Sequence, residues 1–257
     1  MPSLRQRFLE DRLLRLFAVS RVPHPVVIDV FGLSGLFDAF WIDQEHGGWT
    51  YDQIVTAVLA GQAHGLECFV RMAPTGYEAV TQNLEAGAAG VMAARIESAQ
   101  QAEQFVRWSK FAPLGNRGFN SGGRDGRYAQ LEPVEFARRA NQEQLVAIQI
   151  ETLGALNDVE AIAALEGVDV LFVGPADLSQ ALGILGQWDH PKLWEAIVAV
   201  ERACRRHGKA WATVAPSVRF VQRAVEHGCR AVSFTSTVTC LNAGLEALQE
   251  QFAAWLG

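Results

Sequence analysis

The 257-residue chain is 49% AVILMFWYC and 19% charged, with 23 glycines and 9 prolines, the make-up of a globular protein with room for a large core. This composition excludes a disordered, collagenous or coiled-coil chain. Twenty-two Lys+Arg against 28 Asp+Glu, with no basic cluster, give a net charge of −6 and little for a nucleic-acid backbone to bind.

In chain order, residues 1–12 interleave charged and apolar side chains, and nothing beyond them approaches the roughly 20 apolar residues of a membrane span. A cytoplasmic protein with neither membrane nor nucleic-acid partners is expected. Eight short β-rich apolar runs then follow: Leu14–Ser20, Ala39–Asp43, Glu67–Met72, Ala89–Ala94, Leu145–Glu151, Val168–Gly174, Lys209–Val214 and Arg230–Thr235. Stretches of helical period separate them. Near-continuous hydrophobicity, as in Leu145 to Ile150, fits parallel strands buried on both faces. Eight β/α units in about 250 residues predict an α/β fold, a (β/α)8 TIM barrel forming one domain over 1–257.

Helix ends are also readable. Thr75 is expected to cap a helix from Gly76, Ser98 and Gln101 have capping-box spacing, and Pro216 is placed to open a helix running to His227. His64, His207 and His227 each precede glycine, as at helix C-termini, whereas His24 and His190 adjoin prolines in loops without chemical context. The long irregular stretch, about 110–131, carries Arg117, Arg124 and Arg127. Cys68, Cys204, Cys229 and Cys240 show no CxxC pairing and are expected to be buried thiols.

In a barrel of this kind chemistry gathers at the carboxyl ends of the strands. The polar residues there are Asp43, Glu45 and His46; Arg71; Arg95; Gln149 and Glu151; Asp177; Thr213; and Ser236. A lone strand-end acid most often caps a helix or pairs with arginine, which is the expectation for Asp43 and Glu45. Glu151 and Asp177 end consecutive units 26 residues apart, which aims two carboxylates at one point. They repel unless a proton or a cation lies between them. Oxygen donors without cysteine suit Mg²⁺ or Mn²⁺. Among the six histidines, only His46 stands beside other strand-end acids.

Four segments carry a family resemblance: Phe37-Asp-Ala-Phe-Trp-Ile-Asp-Gln-Glu-His46, Phe69-Val-Arg-Met72, Phe111-Ala-Pro-Leu-Gly-Asn-Arg-Gly118, and Gln149-Ile-Glu-Thr152 with Gly174-Pro-Ala-Asp-Leu-Ser179. Over about 14–248 the chain resembles the HpcH/HpaI aldolases, metal-dependent pyruvate aldolases. The resemblance implies a hexamer, a dimer of trimers with swapped C-terminal helices. It implies Glu151 and Asp177 as ligands of Mg²⁺ or Mn²⁺, with Co²⁺ a further possibility. It makes Arg71 the partner of the pyruvate oxygen and His46 the acid/base residue. Gln149 would flank the 2-keto acid, and the backbone at Ala176 and Asp177 would hold its carboxylate. Glu85, in Leu84-Glu-Ala-Gly87, stands where the family has an aspartate that supports the histidine of a neighbouring subunit. Trp211 and Val214 are expected to border the aldehyde pocket, while by residue type alone Trp211 could equally be barrel packing. The chain departs from the pattern at Ala94 and Trp211-Ala212, where proline and a small pair are common.

The chemistry of the residues agrees with this. A cation and an always-charged arginine both stabilise the enolate that forms when pyruvate loses a methyl proton. No lysine ends a strand at the expected mouth, and Lys209, beginning its strand, belongs at the opposite face; a Schiff-base aldolase is disfavoured. Two other readings compete: an acyl-CoA C–C lyase, which needs cations for the CoA phosphates, and a catalytically silent barrel that binds or assembles.

Overall fold

The computed structural model describes residues 2–256. The strands are β1 (Leu14–Val19), β2 (Ala39–Asp43), β3 (Glu67–Met72), β4 (Gly90–Ala93), β5 (Leu145–Ile150), β6 (Val170–Val173), β7 (Ala210–Val214) and β8 (Ala231–Ser236). They pair in parallel in sequence order, and β8 returns to β1, closing a (β/α)8 barrel. Each expected run overlaps one strand, with ends shifted by no more than two residues.

The helices are α1 (Leu4–Leu9), α2 (Pro25–Leu33), α3 (Tyr51–Ala63), α4 (Tyr77–Glu85), α5 (Ala99–Ser109), α6 (Pro133–Glu143), α7 (Leu153–Asn157), α8 (Val159–Ala164), α9 (Pro175–Ala181), α10 (Pro191–His207), α11 (Val218–Glu226), α12 (Thr237–Gln251) and α13 (Ala253–Leu256). No helix among the described residues is long and apolar enough to cross a membrane.

Alternation along each strand sorts side chains into two layers. Leu16, Trp41, Phe69, Met92, Ala147, Phe172 and Ala212 fill the barrel, and α1 closes its amino end by burying Leu4 and Phe8 among them. The other face of the strands packs against the surrounding helices through residues such as Val91, Ile148, Leu171 and Trp194. Trp211 belongs to this outer layer. It is 2% exposed, and its indole N–H donates to the His227 carbonyl at 3.0 Å. The expectation that Trp211 borders the substrate pocket is therefore incorrect: the pleat turns it toward the helices and puts Ala212 inside the barrel.

Several helix ends differ from the sequence reading. Gly76, not Thr75, is the N-cap of α4, and no side chain caps it. Ser217 rather than Pro216 caps α11, accepting from the Phe220 N–H. Ser98 caps α5, but the Gln101 side chain accepts from the Glu97 N–H, so the reciprocal half of the box is absent. His24 and His190 are N-caps whose Nδ1 atoms accept from Val26 and Lys192, each followed by proline at the first helical position. His64, His207 and His227 do precede left-handed glycines, Gly65, Gly208 and Gly228. Three cysteines are buried; Cys240 is exposed on α12.

The long loop is pinned, not loose. Arg117 is fully buried on its side chain, pairs with Asp125 at 2.6 Å, donates to Gln144 and lies over the Phe111 ring. Arg124, Arg127 and Arg139 line a cavity of about 490 Å³ that includes Glu67, Ala89 and Gln144, at the amino ends of β3 to β5. Opposed by Glu67, Asp125 and Glu143, these cations lie at the far end of the barrel from the strand-end acids. Lys209 also lies there, donating to the Leu165 and Val168 carbonyls.

Candidate active site

The carboxyl ends of the strands bring together most of the residues singled out above. Asp43 and Arg71 are register partners on β2 and β3. Arg71 Nε donates to Asp43 Oδ1 at 3.1 Å and Nη2 meets Oδ2 at 2.9 Å, while Nε also lies 3.4 Å from Glu45 Oε2. The guanidinium sits 4.8 Å above the Trp41 ring, and Trp41 is fixed by an indole N–H to Ser233 Oγ bond of 2.9 Å. Two carboxylates and an aromatic face thus orient one arginine, 12% exposed on its side chain, and Nη1 keeps no protein partner among the described residues.

His46 follows on the same loop. Its backbone N–H donates to Asp43 Oδ1 at 3.2 Å, and Nε2 lies 3.7 Å from Glu45 Oε2. The imidazole is 56% exposed, facing solvent at the rim. Glu85, at the end of α4, is joined to the long loop through its carbonyl, which accepts from the Arg124 N–H at 2.8 Å. Burial raises the Tyr51 hydroxyl above its ordinary value, and the nearby Glu85 adds to this. Within one protomer the carboxylate that meets His46 is Glu45.

Across the mouth, Glu151 leaves the end of β5 and Asp177 stands in the first turn of α9, which follows β6. Glu151 is 2% exposed; its Oε1 accepts from the Arg95 N–H at 2.7 Å and its Oε2 from Gln149 Nε2 at 2.5 Å. Gly174 makes room for it, because a Cβ there would lie 2.6 Å from Glu151 Oε2 and 2.7 Å from Gln149 Nε2. Burial pushes the Glu151 carboxyl up to about 7; the Arg95 N–H opposes this, and the charges of Asp177 and Glu45 add to it. Asp177 is more open, and Arg95 Nη1 lies 3.9 Å from its Oδ1. Glu151, Asp177, Arg95, Glu97, Thr152 and Gln180 border a cleft of about 210 Å³. A second cleft of about 300 Å³ lies toward β8 and β1, between Trp41, Asp43, Ser20, Val214, Ser236 and Thr239.

The donor set fits a hard divalent cation. One buried carboxylate carries more proton than an ordinary glutamate, a second faces the same cleft, and Gln149 Oε1 is buried without a hydrogen-bond partner. Among the described residues no group of three or more His, Cys, Asp or Glu is arranged to hold a metal ion. A cation held by two carboxylates keeps its remaining positions for water and ligand oxygens.

Sequence reasoning misses three contributors. It pairs Asp43 with an arginine but does not foresee that Asp43 ties Arg71 to the His46 backbone. It passes over Trp41, although period-two spacing puts Trp41 on the same face of β2 as Asp43. It places Arg95 among the polar strand ends but does not foresee that its main-chain N–H donates to Glu151.

The profile of the HpcH/HpaI aldolase/citrate lyase family matches residues 16–243. A 5-keto-4-deoxy-D-glucarate aldolase from Klebsiella pneumoniae is 31% identical over 229 residues, covering 89% of this chain and 88% of the relative. Among solved structures, an HpcH/HpaI aldolase from Desulfitobacterium hafniense superposes with a TM-score of 0.89 at 29% identity, covering 97% of this chain and 98% of the other. A family protein from Burkholderia cenocepacia gives 0.87 at 30% identity, covering 96% and 98%. With the profile spanning nearly the whole barrel, the chain belongs to the HpcH/HpaI aldolase/citrate lyase family and is a carbon–carbon lyase.

Proposed function

We propose that the protein is a divalent-metal-dependent aldolase that cleaves, and in reverse forms, the bond between pyruvate or a close 2-keto acid and an aldehyde. The observation that carries this reading is the buried Glu151 facing the same cleft as Asp177, with an oriented arginine at the same mouth. Glu151 and Asp177 would hold Mg²⁺ or Mn²⁺, with Co²⁺ as a third candidate, which when bound supplies Lewis-acid stabilisation of developing oxyanion charge.

The chain's own residues do the rest. Arg71, held by Asp43 and resting on Trp41, would donate to the keto oxygen from the part of its guanidinium that Asp43 does not engage. Gln149 flanks the keto acid, and its unpaired Oε1 is an acceptor for a hydroxyl or water at that place. The first-turn N–H groups at Ala176 and Asp177 are free of any side-chain cap and suit the keto acid's carboxylate. In cleavage His46 takes the proton from the hydroxyl next to the breaking bond, and in synthesis it returns it. Val214 borders the space left for the aldehyde.

The reading includes an oligomer, a dimer of trimers with exchanged C-terminal helices. In support, α12 and α13 expose Leu241, Leu245, Leu248, Phe252 and Trp255, the last at 81%, as a stripe that this protomer leaves uncovered. Glu85 would then meet the His46 of a neighbouring copy. A panel of aldehydes incubated with pyruvate and Mn²⁺, with and without chelator, tests the reaction. Metal-dependent product from at least one aldehyde is expected; turnover unaffected by chelation would refute the metal step.

A further inference from the structure

Among the described residues, non-glycine backbones enter the left-handed region at Arg127, Tyr128 and Ala129 in the long loop, and at Arg95. Arg95 stands alone, two residues past the end of β4, with φ of 53°. An L-residue adopts this conformation at a cost, so the surroundings must impose it. They do. The Ala94 N–H donates to the Met72 carbonyl at 2.9 Å, and Thr152 Oγ1 donates to the Ile96 carbonyl at 2.6 Å. Gly154 packs closely against the chain just beyond, where an added Cβ would lie 2.2 Å from the Glu97 carbonyl oxygen. The chain is therefore fastened on both sides of Arg95 to β3 and to the segment after β5. The product of this fastening is one N–H aimed across the strand ends at Glu151 Oε1, 2.7 Å away.

We infer that Arg95 is a positioning residue for Glu151, acting through its left-handed main-chain N–H and not through its charge. Its guanidinium is 3.9 Å from Asp177 Oδ1, with 55% and 43% of the two side chains exposed, too distant and too solvated to hold that carboxylate. The N–H, by contrast, fixes one oxygen of the buried carboxylate at 2.7 Å, leaving Gln149 to fix the other at 2.5 Å. The N–H thus selects the rotamer that a cation ligand needs. The inference rests on the reading of Glu151 as such a ligand.

Replacement of Arg95 separates main chain from charge. Arg95→Gly removes the charge and adopts positive φ freely; Arg95→Lys keeps the charge; Arg95→Val disfavours the left-handed backbone through its branched Cβ. Binding of Mn²⁺ alone is measured by titration calorimetry, and thermal midpoints are measured in EDTA. Arg95→Gly and Arg95→Lys should bind Mn²⁺ within about threefold of wild type, while Arg95→Val binds at least about tenfold more weakly. In EDTA, Arg95→Gly should melt at or above the wild-type midpoint. Loss of affinity in Arg95→Gly with retention in Arg95→Lys would assign the role to the guanidinium and overturn the inference, and this contrast still decides if Arg95→Val does not fold. Wild-type affinity in a folded Arg95→Val would overturn it as well. If the wild-type chain bound no Mn²⁺, the metal reading would fall and the inference with it, whereas wild-type binding with a flat series defeats the inference alone.

Discussion

Replacing Glu151 by glutamine should stabilise the cation-free protein at alkaline pH while removing its capacity for metal. Burial raises the Glu151 carboxyl from its ordinary 4.5 to about 7. At 1.36 kcal/mol per unit, keeping it ionised in the folded chain costs about 3 kcal/mol relative to the unfolded chain. The folded state binds this proton more tightly than the unfolded state. The destabilisation is therefore absent below about pH 4.5, grows between 4.5 and 7, and is complete above. Glutamine has no such titration. Its Oε1 can keep the Arg95 N–H, and a flip of Gln149 turns the unpaired Oε1 of that residue toward the new amide. At about 2 °C per kcal/mol for a chain of this size, Glu151→Gln should melt about 6 °C above wild type at pH 8, with most of the difference gone at pH 5. Calorimetric melting in EDTA at both pH values is the assay. A variant no more stable than wild type at pH 8, or a difference that does not shrink on acidification, would show that the carboxylate is not held against a desolvation cost.

Arg71→Lys should lower turnover by about 10²-fold, since an ammonium cannot keep both the Asp43 fork and a donor toward substrate; steady-state kinetics give the value. His46→Ala should lose about 10²–10⁴-fold in kcat with Mn²⁺ and pyruvate affinity unchanged, read by kinetics and calorimetry together. Apparent Mn²⁺ affinity should fall about tenfold per pH unit below 7 and level off above it, because binding must displace the Glu151 proton; titrations at pH 6, 7 and 8 measure this. Trp211→Phe should cost about 1–2 kcal/mol of stability through the lost bond to His227 while leaving KM and kcat near wild type, which thermal melts and kinetics check.

Much of this is legible in the sequence. The eight runs sit where the strands are, because parallel strands covered on both faces must be apolar nearly throughout. The same property hides which way a side chain points. Alternation of polar and apolar residues is the usual marker of sidedness, and Ala210-Trp-Ala-Thr-Val214 lacks it, so the run itself does not decide between the pocket position that the resemblance implies for Trp211 and the packing against helices that it adopts. Glu151, Asp177, Arg71 and His46 stand out because each is polar at or just past the close of an apolar run. The left-handed turn at Arg95 does not, since arginine carries none of the turn preference that marks glycine or asparagine. The caps at His24 and His190 have a signal in the following proline, which suits a first helical turn as well as a loop.

The most direct test is whether the protein labilises the methyl protons of pyruvate in D₂O without any aldehyde, followed by the loss of the methyl proton signal in the presence of Mg²⁺. The account predicts exchange with wild type, none in EDTA, and none with Asp177→Ala even at saturating Mg²⁺. Exchange that persists in EDTA or in Asp177→Ala would contradict it, and so would cleavage of an aldol substrate without any exchange.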